Sequence, residues 1–139
     1  MPPICRNILA VVAGFVVGSV VNMGIITAGP LVIALPDGVD MADMDKFAEN
    51  LQLFKPVNFI APWLAHALGT LVGAFIAAKI AISRKVTCAL VIGVLFLLGG
   101  ISMVAMYGGP LWFAAADLAG AYLPMGYLGA VLADGNKQS

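Results

Sequence analysis

The stretch FIAPWLAHALGTLVGAFIAAKIAI, Phe59–Ile82, decides how this chain folds. A helix needs ~20 apolar residues, at 1.5 Å rise each, to cross a hydrocarbon core. This run is long enough, and only His66 and Lys79 in it can ionise. Its small residues Ala65, Gly69, Gly73 and Ala77 recur every four positions, so they share one helix face. His66 stands beside that stripe, at a depth where an ionisable side chain is expensive and needs a reason.

Three further stretches read the same way: Ile8–Ile33, Val86–Met106 and Leu111–Leu132. The expected fold is an all-α membrane protein, a four-transmembrane-helix bundle built as two antiparallel hairpins in a single integral domain over residues 1–139. The short connections Ser83–Lys85 and Tyr107–Pro110 force antiparallel neighbours. Composition agrees, with 62% hydrophobic and 10% charged residues, where a soluble domain carries about a quarter charged. No basic run with interleaved aromatics is present, so nucleic acid is not an expected partner. The first apolar stretch far exceeds the ~7–15 residues of a signal-peptide core, so it reads as a retained span.

Lysine and arginine set the orientation. Arg6, Lys79, Arg84, Lys85 and Lys137 all fall on one side of such a bundle, which predicts a cytoplasmic face there and both termini inside. Asp37, Asp40, Asp43, Asp45 and Glu49, with Lys46 and Lys55, fall on the other. Phe59, Trp63, Tyr107 and Trp112 mark the outer boundary as an aromatic belt. The pattern fits a multi-pass membrane protein. Cys5 and Cys88 both land near the cytoplasmic side, where reduced thiols are expected.

The one substantial loop is Leu35–Lys55. Pro36, Asp37 and Gly38 read as a turn. Asp40 is placed to cap a short helix. Met41, Met44, Phe47, Leu51 and Phe54 then recur at helical spacing. This predicts an amphipathic helix on the outer surface, either a lid over the bundle mouth or a docking site for a partner. Its acidic face favours the lid.

The small-residue stripe of the second span has counterparts. Ala10, Gly14, Gly18 and Asn22 share a face in the first span, and Ala116, Gly120 and Pro124 in the fourth; the third carries Gly93 and Gly99-Gly100. Small residues four apart let helix backbones approach closely, so Gly14, Gly18, Gly69, Gly73 and Gly120 are the expected packing positions. Whether they serve contacts within the chain or in a homo-oligomer stays open at this level.

Polar residues lie on or beside these faces. Counted from span midpoints, His66 and Asp117 both fall ~7 Å toward the outer side, Ser102 ~8 Å, and Asn22 within ~6 Å of the midplane. With Thr70 one turn below His66, they predict one intramembrane polar layer: Asn22, His66, Thr70, Ser102 and Asp117. Such a layer has two readings. It can be interhelical glue, with Asp117 accepting from the imidazole and each bond contributing ~0.6–2 kcal/mol. It can instead be a proton-titratable or cation-binding site, since intramembrane ionisable pairs commonly mark transport pathways. The first is favoured by a small margin. Met23, Met103 and Met106 near His66 offer soft ligands for Cu(I), but methionine is far more often an adaptable filler, and no metal or cofactor is assigned. There is no HExxH, no phosphate loop and no nucleophile–base–acid set, so an enzyme is not expected.

Three stretches carry a resemblance: RNILA at Arg6–Ala10, HALGTLVGA at His66–Ala74, and WFAAADLAGAY at Trp112–Tyr122. They resemble a family of small, uncharacterised four-span bacterial inner-membrane proteins. The resemblance covers most of the length and implies a bacterial source and four spans, with no activity attached. The small multidrug exporters are similar in size but carry their key acid in the first span, where this chain has Asn22. The small fluoride channels do not match either. The expected role is therefore that of a non-enzymatic accessory or structural membrane protein, with the lipid bilayer and a second copy or another membrane protein as partners. The alternative is a small proton- or cation-coupled transporter or channel using His66 and Asp117.

Overall fold

Pro124 interrupts what the hydropathy pattern presents as one helix. In the computed structural model, which describes residues 1–135, the stretch expected to span from Leu111 to Leu132 is two helices. Helix α5 covers Leu111–Gly120 and helix α6 covers Leu123–Asp134, with Ala121 and Tyr122 between them. The cause is local. Proline has no N–H for the carbonyl of Gly120 four residues back, and its ring crowds that carbonyl. In the first turn of a new helix the same residue is well tolerated, and Pro124 sits there. Tyr122 takes up the break at φ −115° and ψ −76°.

The other helices are continuous. They are α1, Pro3–Val32; a short α2, Phe47–Leu53; α3, Ile60–Ile80; and α4, Lys85–Tyr107. Three helical segments are long and apolar enough to cross a membrane: α1, the stretch Pro56–Ile80 that includes α3, and α4. Polarity is inverted relative to a water-soluble bundle. The buried apolar residues are mostly alanines such as Ala10, Ala65, Ala74, Ala77 and Ala89, while Ile8, Val16, Val20, Leu98 and Leu132 point outward. Lys137, one of the expected inner-face cations, lies outside the described residues.

Helix α3 is the axis of the fold, packing against α1, α4 and α6, and α6 also packs on α4. The α1–α3 seam is made by glycines. A methyl group added at Gly18 would lie 2.6 Å from the Gly69 carbonyl oxygen, and one at Gly73 would lie 2.6 Å from that of Gly14. Gly14 in turn faces Gly73 and Ala77. Lipid tails are as apolar as leucine, so helices gain here from close van der Waals contact rather than from leaving water. Helix α6 uses the same device: a methyl at Gly129 would lie 2.8 Å from the Leu71 carbonyl oxygen, and one at Gly126 would lie 3.3 Å from that of Ala89. Gly126 with Ala130, and Gly129 with Ala133, are again small buried residues four apart.

The loop between α1 and α3 is pinned by two buried asparagines. Asn58 accepts from the Lys55 N–H at 2.9 Å and donates to the Ala34 carbonyl at 3.1 Å, which ties the exit of α1 to the entrance of α3. Asn50 donates to the Asp40 carbonyl at 2.7 Å. The expected helix start at Asp40 moves downstream. Asp40 closes its own turn onto the Ala42 N–H, and Asp43 caps a 3-10 turn, Met44–Lys46, that leads into α2. Helix α2 ends before Phe54. Phe47 meets Tyr107 edge-on at 4.8 Å, so α2 rests on the C-terminal end of α4.

At the opposite end, Asn7 does comparable work. Its side chain donates to the Ser83 hydroxyl at 3.0 Å and accepts from the Ile82 N–H at 3.2 Å. The Arg6 Nε donates to the Ile80 carbonyl at 3.2 Å. The start of α1 thereby satisfies groups at the end of α3, where helix carbonyls lack ladder partners.

Candidate functional site

Asp117 lies in the last turn of α5, the first half of the broken helix, and is almost fully buried, at 3% exposure. Isolated there, a carboxylate would be very costly. Both of its oxygens are taken. The His66 Nδ1–H of α3 donates to Oδ1 at 2.7 Å, and the Tyr122 O–H donates to Oδ2 at 2.9 Å. The imidazole and phenol rings stack with centroids 5.7 Å apart. Three side chains from α3, α5 and the break thus close into one compact network.

The break is what admits Tyr122. In an unbroken helix, residues five apart point about 140° away from each other, so Asp117 and Tyr122 could not meet. With the helix interrupted, Tyr122 turns back onto the carboxylate that precedes it. It is itself buried against Gly100 of α4, which leaves room for the ring where any side chain would collide. The sequence reading left Tyr122 without a role. A signal was there, since a phenol in an apolar run beside a buried acid needs a hydrogen-bond partner.

Trp63, in the first turn of α3, closes the network on one side. Its Nε1–H donates to the Ala116 carbonyl at 3.2 Å, and its ring lies against Gly120, where a methyl group would sit 3.6 Å away. Read in the sequence only as part of an aromatic belt, it is also a bridge between α3 and α5. An apolar cleft of about 380 Å³ opens beside it, lined by Phe59, Ile60, Leu64, Trp112 and Phe113 among others. His66, Asp117 and Tyr122 do not line it.

The remaining members of the expected polar layer lie apart from this network. Ser102 is a correction. It is exposed on α4, and its hydroxyl donates to the Leu98 carbonyl of its own helix at 2.8 Å. The physical reason is that a serine in a helix can satisfy its hydroxyl one turn back without any neighbour. Thr70 is fully buried but does likewise, donating to the His66 carbonyl at 2.7 Å. Asn22 packs against the backbone of Gly69, and its buried Oδ1 has no hydrogen-bond partner among the described residues. The layer of five therefore resolves into a triad, His66–Asp117–Tyr122, two helix-bonded hydroxyls, and an asparagine at the α1–α3 seam.

Chemically, the triad can fasten helices. The imidazole side chain is 27% exposed against 4% for the carboxylate, so it is the more open of the two ionisable members. The comparison of this chain with family models, curated proteins and solved structures found no match.

Proposed function

We propose that this is an integral protein of a bacterial inner membrane with a non-enzymatic, structural or accessory role. In this reading it crosses the membrane four times with both termini in the cytoplasm. The fourth crossing is made by α5 and α6 in series. At ten and twelve residues they rise about 15 Å and 18 Å, each too short alone and together enough for a ~30 Å core. The resemblance to small four-span proteins points the same way. The observation that carries the role is the saturation of Asp117. Its two oxygens are bonded to His66 and Tyr122, while the neighbouring cleft is apolar and excludes all three. That is the arrangement of a clasp that holds a broken helix against α3.

The test is a substitution read two ways. Asp117→Asn keeps the shape and can still bond both neighbours, so the purified protein should remain folded and assembled. Liposomes containing the wild-type protein should show no flux of protons or common cations above protein-free vesicles. Flux that the substitution abolishes would overturn the clasp reading. Topology is checked separately in a background lacking Cys5 and Cys88: Asp43→Cys should react with a membrane-impermeant thiol reagent from outside, and Arg84→Cys only after the membrane is opened.

A second reading is favoured by one observation, the partial exposure of His66 next to a helix break. Broken helices in membranes commonly border ion and proton sites. In that case the imidazole would accept a proton at Nε2 and release the one at Nδ1 to Asp117. The same flux measurement decides between the two.

A further inference from the structure

A shallow groove runs between the first turns of α1 and α4, with a volume of about 310 Å³. Ile4, Ile8, Val11 and Val12 face Cys88 and Val91 across it. From Ile4 to Val12 it follows α1 for nine residues, a rise of about 12 Å. Its mouth lies at the end of the molecule that carries the α3–α4 turn. Arg84 occupies the N-cap of α4, three and four positions before Thr87 and Cys88, which line the groove, and Lys85 follows it. Arg6 stands on α1 next to Asn7. Among the described residues, none of these three cations makes an ion pair. The acid of this end in the described chain, Asp134, closes α6, which packs on α3 and α4.

We propose that this groove and its basic mouth bind one anionic phospholipid, with the phosphate on Arg84 and Lys85 and an acyl chain laid along α1. Charge complementarity selects the occupant. An acyl chain gains little from an apolar groove over bulk lipid, because the two are equally apolar, so preference must come from the headgroup. Unpaired cations at a membrane surface attract anionic lipid. The uncapped start of α4 adds partial positive charge at the same place. A second copy of the chain, inserted in the same sense, would bring its own basic turn to this mouth, and like charges would oppose it. The proposal rests on the membrane reading above and adds to it a specific lipid site.

The test uses the full chain in mixed micelles, with bound lipid counted by native mass spectrometry. The wild type should retain one phosphatidylglycerol at concentrations where phosphatidylcholine does not stay bound. Arg84→Gln and Lys85→Gln should each weaken that retention roughly fivefold, as expected for one surface cation apiece. Val91→Phe, on the lipid-facing wall, should reduce retention with the cations intact. Circular dichroism verifies that each variant is folded. Equal retention of the two lipids by the wild type, or an unchanged preference in the double glutamine variant, would overturn the site. Displacement of the lipid by glycerol phosphate at equal concentration would overturn the role of the groove. A chain that stays monodisperse without detergent and binds neither lipid would instead overturn the membrane reading itself.

Discussion

Helix α3 has two seams, and they hold by different means. Against α1 it meets Gly14 and Gly18 through Gly69 and Gly73, backbone to backbone. Against α5 and the break before α6 it meets Asp117 and Tyr122 through His66, side chain to side chain. The first seam depends on the absence of side chains. It tolerates Asn22 Oδ1 at its edge with no partner among the described residues. The second depends on polar groups gathered on one carboxylate: His66 and Tyr122 each bond Asp117, and both lose their partner if it is removed. Steric seams in a membrane are local and repetitive. Polar ones are cooperative, because a low dielectric penalises any member left alone.

Substitutions can break this contrast, and the largest effect is expected on the steric side. Gly18→Leu should separate α1 from α3 and cost about 3 kcal/mol or more, because backbone cannot move aside as a flexible side chain can. Reversible unfolding in mixed micelles would measure it; a loss below 1 kcal/mol, on the same scale, would mean the glycine contact is dispensable. Asp117→Ala should follow at about 2–3 kcal/mol, since it strands both His66 and Tyr122. Combining it with His66→Ala in a double-mutant cycle should show strong non-additivity, and simple additivity would show that the pair contributes nothing jointly.

Smaller effects sharpen the comparison. Tyr122→Phe keeps the ring against Gly100 and removes only the bond to Oδ2, for about 1 kcal/mol of lost stability. If Tyr122→Phe instead matched Asp117→Ala, the phenol rather than the imidazole would be the principal partner. Ser102→Ala and Asn22→Ala should each stay within about 0.5 kcal/mol of wild type. Ser102 bonds only its own helix, and Asn22 brings an acceptor that nothing in the described chain satisfies. A large loss from either in a thermal melt would restore that residue to the polar network.

Much of this architecture is legible in the chain. Apolar length marks α1, α3 and α4, because a membrane helix must satisfy every backbone group internally and shows its length directly in hydropathy. Four-residue spacing marks the α1–α3 seam, because small residues have to align for backbones to touch. His66 and Asp117 stand out by cost alone. Depth counting misleads twice: it places Ser102 in the layer by height alone although that side of α4 is exposed, and by treating the fourth stretch as one rod it gives Tyr122 no part. Proline's missing N–H was visible at Pro124, but a proline in a membrane helix can produce a kink, a break or neither, depending on what neighbours supply.

The chain by itself thus determined which segments are helical and apolar, which faces are small, and which groups are too costly to leave alone. Those are properties of local composition and period. The tertiary structure decided which small faces meet, where Pro124 ends one helix and starts another, and that Tyr122 rather than Ser102 completes the site around Asp117. A hydroxyl's partner depends on whatever lies within 3 Å in space. For Ser102 that is its own helix, and for Tyr122 it is a carboxylate brought near by the break.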